Sequence, residues 1–138
     1  MAASQLLLRF LKLNGWFSGL NGLALLIAAA PLSNLLFSNS VDIAPLGLRG
    51  LGIGLISFAG LLFFLSRTPE IARWWVVLVI SLDLGWVLAT ALVLILFGDI
   101  LTPAGAAMVT TLAACVAALA VGQFVGMQRS QGSAGALI

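Results

Sequence analysis

Residues 74–97 read WWVVLVISLDLGWVLATALVLILF, an apolar stretch in which Asp83 is the one charged residue. A helix of about 20 such residues crosses the roughly 30 Å hydrocarbon core of a bilayer. Three further apolar stretches lie before and after it, and the other charged residues fall at their ends or between them. The sequence therefore predicts an all-α polytopic membrane protein in which four transmembrane helices form an up-and-down bundle.

Short connections with helix-breaking residues separate the four spans. Pro31 and the Ser/Asn cluster after it are expected to end the first span. Thr102 followed by Pro103 is a favourable helix start. The small, polar segment 129–138 is expected to be a flexible C-terminal tail. We place the spans of this single membrane domain, residues 1–138, at about 11–30, 47–66, 72–97 and 103–128.

Composition supports a membrane location and excludes several kinds of site. Hydrophobic residues make up 62% of the chain and charged residues 7%, more apolar surface than a soluble domain could bury. The net charge of +2 comes from basic residues spread along the chain, which form no patch for nucleic acid. With one cysteine, Cys115, and no histidine, an intramolecular disulfide and a His-based metal or haem site are excluded. We expect no cofactor and no metal.

The first span has an alternative interpretation as a secretory signal, because basic residues precede an apolar run that ends in three alanines, residues 28–30. The run is longer than a usual signal sequence, and Pro31 directly after it is a poor context for cleavage. We therefore interpret it as a retained membrane span.

The basic residues predict the orientation of the bundle. Five of the six would lie on one side of a four-span meander, namely Arg9, Lys12, Arg67, Arg73 and Arg129. The other side would carry only Arg49, together with Asp42 and Asp99. The positive-inside rule then places both termini in the cytoplasm.

Small side chains recur every four positions along span four and predict a close helix contact, because helices in lipid associate through backbone approach. We call this set the small-residue ladder; it comprises Ala106, Thr110, Ala114, Ala118, Gly122 and Gly126. Shorter pairs occur in span one, Gly15 and Gly19, and in span two, Gly50 and Gly54. The sequence leaves open whether the ladder contacts another span of the same chain or a second copy.

Polar residues inside the spans are the candidates for function, because a polar group in the bilayer costs free energy and usually faces the bundle interior. Asp83, Trp86 and Thr90 share one stripe of span three. Counting about 1.5 Å per residue from the predicted helix ends places Asp83 at the depth of Asn21 and Ser57. We expect Asp83 to face the interior there and to carry a proton, since no Lys or Arg lies at that depth.

Three interpretations of this polar cluster remain open. It is a satisfied hydrogen-bond knot between spans, a small-molecule or proton site around Asp83, or a contact between molecules. A second grouping is also open, because Asn14 and Gln123 could meet near the cytoplasmic rim. Arg49 is too far from the level of Asp83 for an ion pair, and Cys115 is expected to be a packing residue.

The order of short features along the chain resembles a known group of proteins. These features are Leu8-Arg9 and Asn14-Gly15 in span one, Leu48-Arg49-Gly50 opening span two, LDLGWVL at 82–88, and Gln123, Gly126 and Arg129 closing span four. They are similar to small bacterial four-helix integral membrane proteins of uncharacterised activity, broadly the DoxX-like class. The resemblance implies a four-helix fold and a bacterial inner membrane, and it implies no reaction.

Three hypotheses about function follow. The sequence favours a structural or accessory subunit that assembles through small-residue helix faces. A binder of a small apolar ligand, such as a lipid or quinone, would need an inward cavity near Asp83, Trp86 and Asn21. A proton-linked transporter working as a dimer would use Asp83 as the titrating group. An enzyme is disfavoured, because no nucleophile and base pair and no phosphate loop occur. The expected partners are the lipid bilayer and a homo-oligomer or larger membrane complex.

Overall fold

The computed structural model describes residues 1–39 and 42–135, and within these ranges the chain forms helices and no β-strand. The helices in chain order are α1 Gln5–Ile27, α2 Ala29–Leu36, α3 Ala44–Arg67, α4 Arg73–Phe97 and α5 Pro103–Gly135, with a 3-10 turn at Gly98–Ile100. Three of them, α3, α4 and α5, are long and apolar enough to cross a membrane. The bent pair of α1 and α2 is a fourth candidate if it counts as one span.

The first helix begins six residues before the predicted start of span one. Ser4 caps it, because the Ser4 Oγ accepts a hydrogen bond of 3.2 Å from the Leu7 backbone N–H. The same hydroxyl donates to the Gly126 carbonyl oxygen at 2.7 Å, and the Ser4 backbone N–H donates to the Ser130 Oγ at 2.8 Å. The earlier start moves every residue of α1 about 9 Å deeper along the helix than the sequence predicted.

Pro31 does not end the first span, contrary to the prediction. Helix α1 ends at Ile27, and the chain turns by 96° at Ala28 into the short helix α2. Pro31 is the third residue of α2, where a backbone N–H would have no partner within the helix, so proline is tolerated there.

Helix α1 lies between α3 and α5, and glycines set both contacts. Gly22 and Gly52 bring the backbones of α1 and α3 together, since a Cβ on Gly52 would lie 2.6 Å from the Gly22 oxygen. On the α5 side, a Cβ on Gly126 would lie 2.7 Å from the Leu7 backbone. Helix α4 packs on α5, whereas α3 and α4, although consecutive, do not pack along their length. The interior is therefore bounded by close contacts except between α3 and α4.

Some of the predicted packing residues lie elsewhere. Gly15 and Gly19 face Phe63 and Ala59 of α3. Gly50 and Gly54 face open space, and Gly52, which lies two positions from each of them, makes the contact instead. In the small-residue ladder, Gly122 and Gly126 are buried against α1 and Ala106 is half-buried. The middle of the ladder is exposed instead; it consists of Thr110, Ala114 and Ala118. Cys115 beside it is also exposed rather than packed.

Two sets of contacts define the ends of the molecule. At the first, which we call the Met1 end, the Met1 amine donates to the Ile71 carbonyl oxygen at 3.0 Å, and Ser4 meets the last turns of α5. At the opposite α2 end, the Thr102 backbone N–H donates to the Leu36 oxygen at 2.9 Å. The N-terminus, the α3–α4 connection and the end of α5 therefore lie together. The basic residues assigned to one side, Arg9, Lys12, Arg67, Arg73 and Arg129, are all exposed and belong to segments at or near the Met1 end.

Part of the expected flexible tail is ordered. Helix α5 continues to Gly135, and Ser130 is 3% exposed because it lies against the N-terminal segment. The Ser130 hydroxyl also donates to the Gly126 carbonyl oxygen at 2.9 Å. Residues 129–135 are thus helical, and 136–138 lie outside the described residues.

An apolar core fills the half of the molecule near the Met1 end. It is formed by Leu7, Leu11, Leu62, Leu65, Ile71, Val76, Val79 and Met127. Each of these side chains is almost fully buried, as expected for aliphatic residues packed between helices. The core ends one helical turn before Asp83, where polar side chains replace it.

Candidate functional site

Asp83 lies at the boundary of the apolar core and is 4% exposed. Its Oδ2 accepts a hydrogen bond of 2.6 Å from the Nδ2 of Asn14, which is fully buried. This bond joins α1 to α4, two helices that otherwise make few contacts. A buried polar pair of this kind fixes the rotation of both helices, because turning either side chain toward lipid would leave the other unpaired.

Two more polar side chains complete the cluster, which we call the Asn14–Asp83 cluster. Ser18, one turn after Asn14, donates its hydroxyl proton to the Asn14 Oδ1 at 3.2 Å. Gln123 of α5 is fully buried and lies beside the Asp83 carboxyl group. Neither polar atom of the Gln123 amide meets hydrogen-bond geometry with any described residue. The cluster therefore combines satisfied groups with one buried amide whose hydrogen-bonding capacity is unused.

The members of this cluster differ from the predicted partners of Asp83 because α1 begins early. Asn14 lies nine residues into α1 and Asp83 ten residues into α4, depths of about 14 and 15 Å. Counting from residue 11 assigned that depth to Asn21 instead. Similarly, α5 ends at Gly135, which places Gln123 deep in the bundle rather than at its rim.

The predicted site residues are only partly brought together. Asn21 donates to the backbone oxygen of Phe17 in its own helix at 2.7 Å and makes no hydrogen bond to Asp83. Ser57 is exposed and donates to the Ile53 oxygen at 2.9 Å, so it faces away from the cluster. Helix depth alone could not show this, since depth leaves the rotation of α3 undetermined. Thr90 is buried on α4 but does not line the cavity described next.

A cavity of about 410 Å³ extends from the Asn14–Asp83 cluster toward the α2 end. Asp83, Ser18 and Asn21 form its polar part. The half-buried Trp86 also lines it, and most of the remaining wall is aliphatic or aromatic. All five helices contribute to the wall; Leu32 is the contribution of α2. The site is thus a mostly apolar chamber with a few polar side chains in its wall.

The cavity opens between α3 and α4. These two helices do not pack along their length, and the wall residues they contribute include exposed side chains. Leu51 of α3 is 37% exposed and Leu82 of α4 is 49% exposed. If the long helices cross a membrane, this gap faces the acyl chains of the lipids.

Asp83 has no ion-pair partner within residues 1–39 and 42–135. Arg49, the one basic residue at the α2 end, is exposed, and so are Asp42 and Asp99. The neighbours that contact Asp83 are the neutral amides of Asn14 and Gln123. The site therefore offers a carboxyl group without a counter-ion, flanked by neutral hydrogen-bonding groups.

One sequence signal could have identified Asn14 as the partner of Asp83. Ser4 directly precedes the apolar run of α1, and serine is among the best N-cap residues. A helix started there puts Asn14 at the level of Asp83. No comparable signal marks Gln123, because its depth depends on where α5 ends.

Comparisons with known proteins do not add an assignment. No protein-family model, no curated protein and no solved structure matches this chain. The functional argument therefore rests on the residues of the cavity.

Proposed function

We propose that this chain is an integral membrane protein that binds a small apolar or lipid-like molecule in the cavity beside Asp83. The cavity itself carries the proposal, because it combines a volume of about 410 Å³ with a mostly apolar wall and a few polar side chains. Small-ligand sites have this composition and are of this size. A core serving only to hold helices together would be expected to fill such a space, since empty volume lowers stability.

The gap between α3 and α4 supports access from the bilayer. A ligand dissolved in lipid would pass between Leu51 and Leu82 without crossing water. The polar end of such a ligand would then meet Asp83 and Ser18, and its apolar part would lie along the aliphatic wall toward Leu32.

We place the protein in the membrane as a four-span up-and-down bundle, with α1 and α2 acting as one broken span. The Met1 end is cytoplasmic, because five of the six basic residues belong to it. The resemblance to DoxX-like proteins supports a bacterial inner membrane. In this proposal the protein is not an enzyme, and its activity is to bind or transport the small apolar ligand.

Two substitutions in α3 test the proposal. Gly54 lines the cavity and a Cβ there would meet nothing within 4 Å, so Gly54→Leu should fill the cavity without disturbing the helices. Gly60 has equally open surroundings but is not part of the wall, which makes Gly60→Leu the matched control. The measurement is saturation binding of labelled 1-adamantanol, a compact neutral alcohol, to the purified protein in detergent.

We expect the parent protein and Gly60→Leu to bind the alcohol alike, and Gly54→Leu to bind it at least about tenfold more weakly. Absence of saturable binding to the parent protein, or equal binding to both variants, would refute the proposal.

A second candidate function is that of an accessory subunit that assembles through α5. The exposed middle of the small-residue ladder, residues Thr110, Ala114 and Ala118, favours it, since small residues on a lipid-facing surface allow another helix to approach closely. This candidate is compatible with ligand binding, and the oligomeric state tests it separately.

A further inference from the structure

The cavity wall combines one acidic residue with aromatic rings. Among the described residues, Asp83 is the only charged one that lines it, and Phe17, Phe58 and Trp86 line it as well. The Asp83 Oδ2 accepts the hydrogen bond from Asn14, and the Gln123 amide lies beside the same carboxyl group. We propose, on the basis of the function proposed above, that the ligand is a lipophilic organic cation, such as a quaternary ammonium or an amine on an apolar frame.

The carboxyl group supplies the first reason. A carboxylate in a low-dielectric setting is costly unless a cation or a proton neutralises it. Neither Arg nor Lys reaches Asp83 from the described part of the chain, and the amides of Asn14 and Gln123 carry no charge. A cation that enters from outside the protein therefore supplies a counter-charge that the described side chains around Asp83 do not provide.

The aromatic residues supply the second reason. The faces of aromatic rings attract cations, and sites for quaternary ammonium groups are commonly lined by such rings. Phe17 of α1, Phe58 of α3 and Trp86 of α4 contribute rings from three sides of one cavity. The remaining aliphatic wall would hold the apolar part of the same ligand.

An anionic ligand such as a fatty-acid carboxylate fits this wall poorly. Within residues 1–39 and 42–135 no Lys or Arg lines the cavity, and the Asp83 carboxyl would repel a second carboxylate or have to share a proton with it. A neutral lipid fits the apolar wall but would gain nothing from the charge of Asp83.

When the cation binds, it replaces a proton on the Asp83 carboxyl group. In the empty site Asp83 is a neutral carboxylic acid; when the cation enters, the O–H bond breaks, the proton leaves to water, and the carboxylate pairs with the cation. The side chains that face Asp83 are Asn14 and Ser18 from α1 and Gln123 from α5, and none of them titrates. The site is neutral in both states, and affinity for the cation should rise with pH.

Probes of one shape and different charge test this inference. The permanently charged 1-adamantyltrimethylammonium ion is compared with neutral 1-adamantanol and with 1-adamantanecarboxylate, using the full chain in detergent. Asp83→Asn removes the charge and keeps an oxygen that can accept the hydrogen bond from Asn14, so the fold should be retained. Trp86→Leu keeps an apolar side chain and removes the ring, and it provides a second variant should the first be unstable.

We expect the parent protein to bind the cation at least about tenfold more tightly than the alcohol, and the carboxylate most weakly. Asp83→Asn should abolish this preference and its pH dependence, whereas Gly60→Leu, which lies outside the cavity wall, should leave both unchanged. Trp86→Leu should reduce the preference by about threefold or more.

The outcomes separate the two proposals. If the alcohol binds in a Gly54-dependent manner but the cation binds no more tightly, or if Asp83→Asn weakens both probes equally, the cation inference is overturned and the proposed function stands. If the parent protein does not bind the alcohol saturably, the proposed function fails and the inference fails with it.

Discussion

Asn14 and Asp83 are joined by a hydrogen bond of 2.6 Å between two helices that make few other contacts with each other. The bond closes the deep end of a cavity whose remaining wall is mostly apolar. Below it, toward the Met1 end, aliphatic side chains fill the interior. The pair thus marks the boundary between the part of the bundle that is packed and the part that is open to a ligand.

Removing Asn14 should destabilise the protein. Asn14→Ala leaves the buried Asp83 carboxyl without the bond to α1, at a cost of about 1–3 kcal/mol. Asn21→Ala, in the same helix, is the matched control, since the Asn21 side chain donates to the backbone oxygen of Phe17 within α1. The midpoint of thermal unfolding in detergent is the measurement. Equal shifts for both variants would show that the pair adds nothing to stability.

The contact between α1 and α3 should depend on one glycine of α3. Gly52→Ala would bring a Cβ within 2.6 Å of the Gly22 oxygen, so the backbones must separate, at a cost of about 1–3 kcal/mol. Gly50→Ala faces open space and should be neutral or slightly stabilising, because alanine favours helix more than glycine does. Thermal unfolding of both variants measures this difference, and a loss of stability in Gly50→Ala alone would contradict the packing.

The small-residue ladder should divide into two parts with different roles. Gly126→Ala should lower the unfolding midpoint, because its Cβ would lie 2.7 Å from the Leu7 backbone. Ala114→Leu should leave the unfolding midpoint of the monomer unchanged, since Ala114 is exposed. Light scattering after size-exclusion chromatography then gives the oligomeric state.

A change of oligomeric state in Ala114→Leu would support assembly through the exposed middle of the ladder. A loss of monomer stability as large as that of Gly126→Ala would show that Ala114 is buried within the chain after all.

Topology can be tested with two cysteines. After Cys115→Ala, a cysteine at Asp42 should react with an impermeant thiol reagent in intact cells, because the α2 end is proposed to face outward. A cysteine at Glu70, in the α3–α4 connection, should react only after the cells are opened. Both positions are exposed, so access to the reagent depends on the side of the membrane. Labelling in the reverse pattern would invert the proposed orientation.

The helical class and the approximate position of each long helix followed from the sequence alone. Long apolar runs with charges at their ends have one stable arrangement in a bilayer, because every backbone polar group must bond within a helix. The prediction that polar residues within these runs turn inward rests on the same physics. It identified Asp83 and Trp86 without reference to any other helix, and both lie on the cavity wall.

Only the tertiary structure decided which polar side chains meet. A pairing between helices depends on the start of each helix, its rotation and its neighbours, and these are set by packing over the whole interface. The early start of α1 replaced Asn21 by Asn14, and the rotation of α3 turned Ser57 outward and Gly52, rather than Gly50 or Gly54, toward α1. The cavity likewise exists because the backbones of α3 and α4 do not approach each other along their length, a relationship between distant surfaces that no local pattern in the chain specifies.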